Sequence, residues 1–366
     1  MEGVLAKMRD ALAELLLGTV MEWTDEEVGS QRPVLQALAG IKYDEYQQFS
    51  PGMRFVESLA LWLKQFETMD ERRAAYDFVI SRLVFLSHAE MAHFSTIAYP
   101  DVIRPVFIEQ AARDSSLTPF RISKVLGTNE FKRLEASSLF FGLSDGARID
   151  QFRRSNKELS HEQIFTSYEI SDEKVEKIQE WLLKRGGNSV APALVLLDDF
   201  SASGKSCLLA EGEVATGKVA RFICKIKDNK AWQSVVSFPK TRILIILYVA
   251  TEQALANIRA GAEILKRELG IELTVLCVQR IADDISLKAT DSGLFIEMIN
   301  KYYDESVEDE HTKTGESDLK FGYASGGLPL VLHHNTPNNS IFLLWVENSK
   351  LLTPLFPRVS RHKRES

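Results

Sequence analysis

The sequence predicts an α/β protein in which a parallel sheet flanked by helices follows a helical N-terminal domain. Three observations predict it. Short, continuous apolar runs recur after residue 135: SSLFFGL (137–143), ALVLL (193–197), VARFICKI (219–226), RILIILYVAT (242–251) and ELTVLCVQRI (272–281). Amphipathic stretches at helical spacing separate several of them, the alternation that builds a sheet covered on both faces. The first third of the chain instead repeats apolar residues at helical spacing with few breakers.

In chain order, residues 1–20 read as an amphipathic helix, and 54–99 as two or three more. Pro51-Gly52 and Pro100-Asp101 are read as punctuation. A further helical patch near 117–136 follows the turn-rich ARDSSLTPF. The run 137–143 stops at SDGARID, as a buried strand would, and the helix EKVEKIQEWLLKR (173–185) stops at Gly186-Gly187. Runs 193–197 and 219–226 are read as the second and third strands. The last two strands bracket EQALANIRAGAEILKRELG, a helix ending at Gly270. YDESVEDEHTKTGESDL (303–319) is polar and mostly acidic, which suggests a surface linker or mobile loop. Two apolar runs around an Asn- and Pro-rich turn fill 321–345 and suggest a hairpin-like connection, with Trp345 in the core. The expected division is a helical domain at 1–135, the α/β core at 136–302, the linker at 303–319, and a C-terminal segment at 320–366 that completes or covers the core.

Composition narrows the function. With 366 residues the chain exceeds one ordinary core, and 45% hydrophobic and 26% charged residues are usual for a globular protein. A formal charge of -7 provides no global basic field for nucleic acid or an anionic membrane. The RHKR tail (Arg361 to Arg364) is one local basic candidate, read as a solvated terminus. Cys207, Cys224 and Cys277 form no CxxC pair, which argues for a reducing compartment and against zinc. The N-terminus is unlike a signal peptide, and ILIILYVA is too short to span a bilayer as a helix. A cytoplasmic protein is expected.

The stretch PALVLLDDFSASGKS (192–206) carries the chemistry. Ligands of open α/β sheets bind at the carboxyl ends of the strands, and 193–197 put Asp198 and Asp199 at such an end. The small-residue turn that follows, read as leading into a helix, offers backbone amides to an anion. Gly204 permits positive φ, while Ser201, Ser203 and Ser206 add hydroxyls. A sugar phosphate would use both parts, its hydroxyls on the carboxylates and its phosphate on the loop. A P-loop is the competing reading, because Gly204-Lys205-Ser206 ends as that motif does. Asp199, however, occupies the position of its first glycine. In a third reading the aspartates merely cap the next helix.

LVLLDDFSASGKS resembles the phosphoribosyl-pyrophosphate signature of type I phosphoribosyltransferases: four apolar residues, two acids, an apolar residue, and a Thr/Ser/Gly loop ending in Gly-x-Thr/Ser. The resemblance implies a type I phosphoribosyltransferase-like sheet. It also implies that Asp198 and Asp199 face ribose hydroxyls, that Ser201, Ala202, Ser203, Gly204, Lys205 and Ser206 hold the 5′-phosphate, and that Mg2+ bridges ribose and diphosphate oxygens. Asp198 and Asp199 are its expected metal residues. Ala202 departs from the pattern, removing a hydroxyl but leaving the amide. SDGARID stands where that family carries a diphosphate loop, so Ser144, Asp145 and Gly146 would present the turn and Arg148 would neutralise charge. Arg153 and Arg154 are weaker candidates.

A broader resemblance covers about residues 54–362. The helical RFVESLALWLKQF to VFLSHAEM, LFFGLSDGARIDQFRRSN, LLDDFSASGKS, and GLPLVLHHNTPNNSIFLLW with PLFPRVSRH are together similar to phosphoribosyltransferase-like effectors of bacterial retron and related anti-phage systems. It implies a defence role, with a reverse transcriptase and its RNA–DNA product as possible partners.

Two constellations remain. Asn335, Asn338 and Asn339 could meet a base or sugar, or simply make a turn. Glu90-x-x-His93 has the spacing of di-iron bundles without their further glutamates, so a core-facing or interface histidine is the preferred reading. Two functions follow from different classes. One is an enzyme transferring or hydrolysing at ribose C1, with Asp198, Asp199 and Arg148 at the chemistry. The other is a non-catalytic nucleotide sensor acting through a protein or nucleic-acid partner. Lys218, Lys225 and Lys227 follow the signature, but nothing in the sequence marks one of them as catalytic.

Overall fold

A computed structural model describes residues 2–47, 54–186, 188–238, 240–308, 318–346, 349 and 352–358. Pro51-Gly52, Gly187, most of the acidic stretch 303–319 and the RHKR tail therefore lie outside the described residues. The strands are β1 (Val84–Leu86), β2 (Leu139–Gly142), β3 (Ile164–Phe165), β4 (Ala193–Ser201), β5 (Leu209–Glu211), β6 (Val214–Thr216), β7 (Arg242–Thr251), β8 (Leu273–Ile281) and β9 (Leu330–Leu332). The chain divides into two units, 91–283 and 1–90 with 284–366.

The 91–283 unit holds a five-stranded, all-parallel sheet in the order β3-β2-β4-β7-β8. The expected α/β class is thus observed. Strand alternation explains why the central runs are apolar throughout. Leu194 and Leu196 of β4, with Ile243, Ile245 and Leu247 of β7, join one hydrophobic cluster. Ala193, Val195 and Leu197, with Leu244, Ile246 and Tyr248, join a second. Helices Asp172–Gly186, Lys218–Asp228 and Glu252–Leu269 contribute to the first cluster, and Arg104–Asp114, Asn129–Ser137 and Ile149–Ser155 to the second. That second group explains the observed boundary at residue 91 in place of the expected 136. Phe107, Ala111, Phe131 and Leu134 bury their side chains with Phe140, Val195 and Leu244 of the sheet.

VARFICKI is not a strand. Lys218–Asp228 is a helix that buries Val219, Ala220, Phe222, Ile223 and Ile226, a helical period within a nearly continuous apolar run. Between the serine-rich loop and this helix the chain inserts the antiparallel hairpin β5–β6, which packs on Glu252–Leu269. Gly261 makes room there, since a Cβ would lie 2.7 Å from the Leu208 side chain. Pro100-Asp101 does not break the helical path, because Ala98–Ile103 forms a π-type turn running directly into Arg104–Asp114.

The other unit is mainly helical, with a core that includes Trp62, Phe66, Val79, Leu343 and Leu344. Its β1 pairs in parallel with β9, so a short strand interrupts the expected helical run 54–99. The second apolar run of 321–345 is a single helical turn, Phe342–Trp345, which replaces the expected hairpin. Trp345 is buried, and its indole donates to the Ser340 carbonyl at 2.7 Å. Helix Leu294–Lys301 also belongs here rather than with the sheet. Phe295 stacks on Phe78 at 4.1 Å, and Lys301 pairs with buried Glu71 at 2.7 Å.

Candidate functional site

Taken in chain order, the sheet strands stand 2-1-3-4-5, so the direction of winding reverses between β2 and β4. Open α/β sheets bind ligands outside the strand ends at such a switch point. The β2–β4 pairing ends at Gly142↔Leu197, whereas β4 continues beside β7 to Ser201↔Ala250. Asp198 and Asp199 are therefore the first β4 residues past the end of β2, at the mouth of that crevice.

The two acids leave β4 with opposite parity, yet both carboxylates reach the turn that follows β2 and lie close enough to interact. Asp198 shares the parity of Leu194 and Leu196; it is buried, and Lys218 Nζ lies 3.8 Å from its Oδ2. Ser144 Oγ donates to Asp198 Oδ1. Asp199 shares the parity of Val195 and Leu197 and lies against the turn that follows β2. A Cβ built on Gly146 would overlap the Asp199 carboxylate, so glycine lets that turn close over it. The Arg148 charge acts on Asp199, and Arg148 holds a left-handed backbone at φ 48. Tyr248, buried on β7, donates its hydroxyl to the Ala147 carbonyl at 2.8 Å and supports the strained turn from beneath. Replacing Tyr248→Phe leaves that carbonyl without its donor. We expect a loss of about 1–2 kcal/mol in urea denaturation.

The 201–206 segment is a turn whose first four residues are buried against the start of Glu252–Leu269. Thr251 Oγ1 donates to the Ala202 carbonyl, and Asn257 Nδ2 to the Ser203 carbonyl at 2.8 Å. Gly204 has φ 75 and returns the chain through Cys207 and Leu208 amides to its own carbonyl, both at 3.0 Å. Among the described residues, the amides of Ser203, Gly204 and Ser206 donate to no protein acceptor. Such amides suit an anion. No helix starts at Gly204-Lys205-Ser206: the next one begins at Lys218, after the hairpin. That removes the P-loop and capping readings and corrects the expectation that the turn leads straight into a helix.

Burial is the main cause of the electrostatics. It raises both Asp198 and Asp199 above the ordinary carboxylate value, and for Asp198 the neighbouring Asp199 charge adds to it, with Lys218 and the Ser144 hydrogen bond opposing. Cys207, also beside Asp198, is pushed up to about 12 by burial, so its thiol stays protonated and is no nucleophile. Two crowded carboxylates with one cation at 3.8 Å suit a further hard cation. No group of three or more His, Cys, Asp or Glu that could hold a metal occurs among the described residues. Two carboxylates alone would leave most positions of a hard cation to waters and ligand oxygens, an arrangement Mg2+ tolerates.

Ser144, Gly146, Arg148, Asp198, Asp199 and the 201–206 turn thus lie in one unit, on adjacent strand ends; Asp145 is exposed beside them. Asn335, Asn338 and Asn339 belong to the other unit. Asn339 Nδ2 donates to the Tyr323 carbonyl at 2.8 Å, and the Asn338 carbonyl accepts from Tyr323 N at 2.7 Å, both turn-stabilising bonds. Glu90 caps its own helix, accepting from Ser87 N at 2.8 Å, and pairs with Lys42 at 3.3 Å. Arg153 donates to the Ile164 carbonyl at 3.1 Å and lies 3.6 Å from Asp150. Sequence reasoning missed Tyr248 and did not separate Lys218 from its neighbours. Lys218 had one usable signal, its place directly after Gly217 at the head of a helical period.

A family model described as PRTase-CE matches residues 59–358, more than four fifths of the chain. No curated protein and no solved structure matches. No helix among the described residues is long and apolar enough to cross a membrane.

Proposed function

The chain belongs to the PRTase-CE family, and from that premise we propose that it binds phosphoribosyl pyrophosphate, or a nucleotide of the same chemistry, with Mg2+ at the β2–β4 switch point. The observation that carries this reading is the convergence of two separate loops: Ser144 is bonded to Asp198, and Gly146 lies against Asp199. Asp198 and Asp199 would orient the ribose hydroxyls. The amides of Ser203, Gly204 and Ser206 would receive the 5′-phosphate. Arg148, held by its turn, would face the diphosphate. Mg2+, when bound, would neutralise the departing diphosphate. Loss of diphosphate leaves an oxocarbenium-like centre at ribose C1. The chain's contribution is then to fix the ribose and to neutralise the leaving group, which is catalysis by position and charge.

Calorimetry with phosphoribosyl pyrophosphate, with and without Mg2+, tests the reading, followed by assays of diphosphate release with each nucleobase and with water. Mg2+-dependent binding with release supports the enzyme. Absence of binding in the folded wild type overturns the site.

A second reading rests on the division of the chain. All of these site residues lie within 91–283, so the largely helical unit of 1–90 with 284–366 is not needed to build the site. Together with the resemblance to anti-phage effectors, that favours a defence protein acting through a partner, a reverse transcriptase with its RNA–DNA product. Co-purification of the full chain with those components supports it. Recovery of the chain alone, with turnover of phosphoribosyl pyrophosphate, counts against it.

A further inference from the structure

We infer that Lys218 is the resident counter-cation of the acid pair and a ligand-positioning residue, exchanging Asp198 for ligand phosphate when a divalent cation enters. The inference rests on the acid-pair reading above and adds to it the group that links the two halves of the site.

Lys218 is tied to both halves. Its backbone amide donates to the Ser206 carbonyl at 3.0 Å, which fixes its Cα at the end of the 201–206 turn. Its ammonium lies 3.8 Å from Asp198 Oδ2, and the helix it heads packs with Leu194 and Leu196 of β4. That distance places it as a charge rather than as a hydrogen-bond donor. The side chain is 25% exposed, so it has room to move, whereas Asp198 is buried. A lysine is a point charge on a flexible four-carbon stem, so one fixed Cα can serve alternative anions.

The hairpin β5–β6 creates this placement. Ser206 and Lys218 flank it, and their backbone hydrogen bond closes it. Gly217 permits the return: its φ is 103, and a Cβ would lie 2.6 Å from the Cys207 carbonyl oxygen. The acid pair is thus supplied with a cation from each flank, Lys218 beside Asp198 and Arg148 beside Asp199. Arg148 is set in a strained turn held by Tyr248, and Lys218 is the cation with freedom to exchange.

The test titrates Mn2+, followed by electron paramagnetic resonance, and then adds diphosphate at saturating Mn2+. Wild type, Lys218→Met, Lys218→Arg and Asp198→Asn are compared after thermal melts show each to be folded. Lys218→Met keeps the backbone amide and removes the charge. It is expected to bind Mn2+ alone about tenfold more tightly, because a competing cation is gone. It is also expected to bind diphosphate about tenfold more weakly, because a phosphate contact is lost. Lys218→Arg restores both towards wild type. Opposite changes in the two affinities support the inference, and no purely structural role produces them. Unchanged or jointly weakened affinities in Lys218→Met, with wild-type Mn2+ binding that Asp198→Asn abolishes, overturn the role of Lys218 alone. No Mn2+ binding in any variant overturns the acid-pair reading and this inference together.

Discussion

Asp198→Asn/Asp199→Asn is expected to abolish Mg2+-dependent binding of phosphoribosyl pyrophosphate and, at pH 7, to make the ligand-free protein more stable. Both effects have one cause. Burial raises both carboxyls and the Asp199 charge raises Asp198 further, so ionising them in the folded protein is unfavourable unless a cation arrives. Neutral amides of the same shape remove that cost, a gain of about 1–3 kcal/mol. They also remove the charges a divalent cation needs, which weakens binding on the order of 100-fold or more. The pH dependence follows from the direction in which burial moves the carboxyls. A carboxyl whose folded value is raised is protonated first in the folded state, so the strain is absent below the ordinary value of 3.8 and grows as pH climbs through the raised values. Wild type should therefore lose stability relative to the double variant as pH rises from about 4 to 7. Glu71, lowered to about 2 with help from Lys301 and Thr68, pulls the opposite way but is present in both proteins, so it cancels in the difference. Chemical denaturation across that pH range checks the curve. A difference that stays flat, or that widens towards low pH, would sink the account.

Gly204→Ala is expected to cost about 2–4 kcal/mol in urea denaturation, enough to threaten the fold at 37 °C. Two effects add. At φ 75 an L side chain is strained, and the new Cβ would lie 2.8 Å from the Ala254 carbonyl oxygen and 3.2 Å from Asn257 Cβ. The first obstacle is backbone at the start of Glu252–Leu269 and cannot rotate away. Gly212, at the tip of the β5–β6 hairpin, separates the two effects. Its φ is 62 with nothing within 4 Å of a Cβ, so Gly212→Ala carries the backbone strain alone, about 1 kcal/mol. Equal losses in the two variants would show that the approach to Ala254 costs nothing. The Gly204 variant should also lose ligand affinity, since its turn holds the amides of Ser203 and Ser206 in place.

The β strands that read most clearly are those whose environment is simplest. ALVLL and RILIILYVAT are nearly continuous apolar runs, which the buried centre of a parallel sheet demands, whereas the edge strand Leu273–Ile281 carries Thr274, Gln279 and Arg280 and buries only Val275 and Ile281. VARFICKI misleads for the same reason. A helix packed under that sheet buries five of its first nine residues, and over eight residues an apolar run is nearly as consistent with one period as with the other. The short pairing of Val84–Leu86 with Leu330–Leu332 was not legible, because its partners are separated by some two hundred and fifty residues and neither is long enough to show alternation.

Ile164–Phe165 was not legible, but the sequence showed the other four sheet strands, the placement of two acids at the tip of a central one, and the serine- and glycine-rich turn after them. Those are local facts, set by apolar runs and by the residues that end them. Only the tertiary structure decided the rest. It turned both Asp198 and Asp199 towards the loop that follows β2. It brought Ser144 and Gly146 of the β2 turn against them, and chose Lys218 from three lysines by folding a hairpin ahead of it. The physical reason is strand order. The reversal between β2 and β4 opens a crevice that two loops some fifty residues apart must share, and neither sequence contains the other's position.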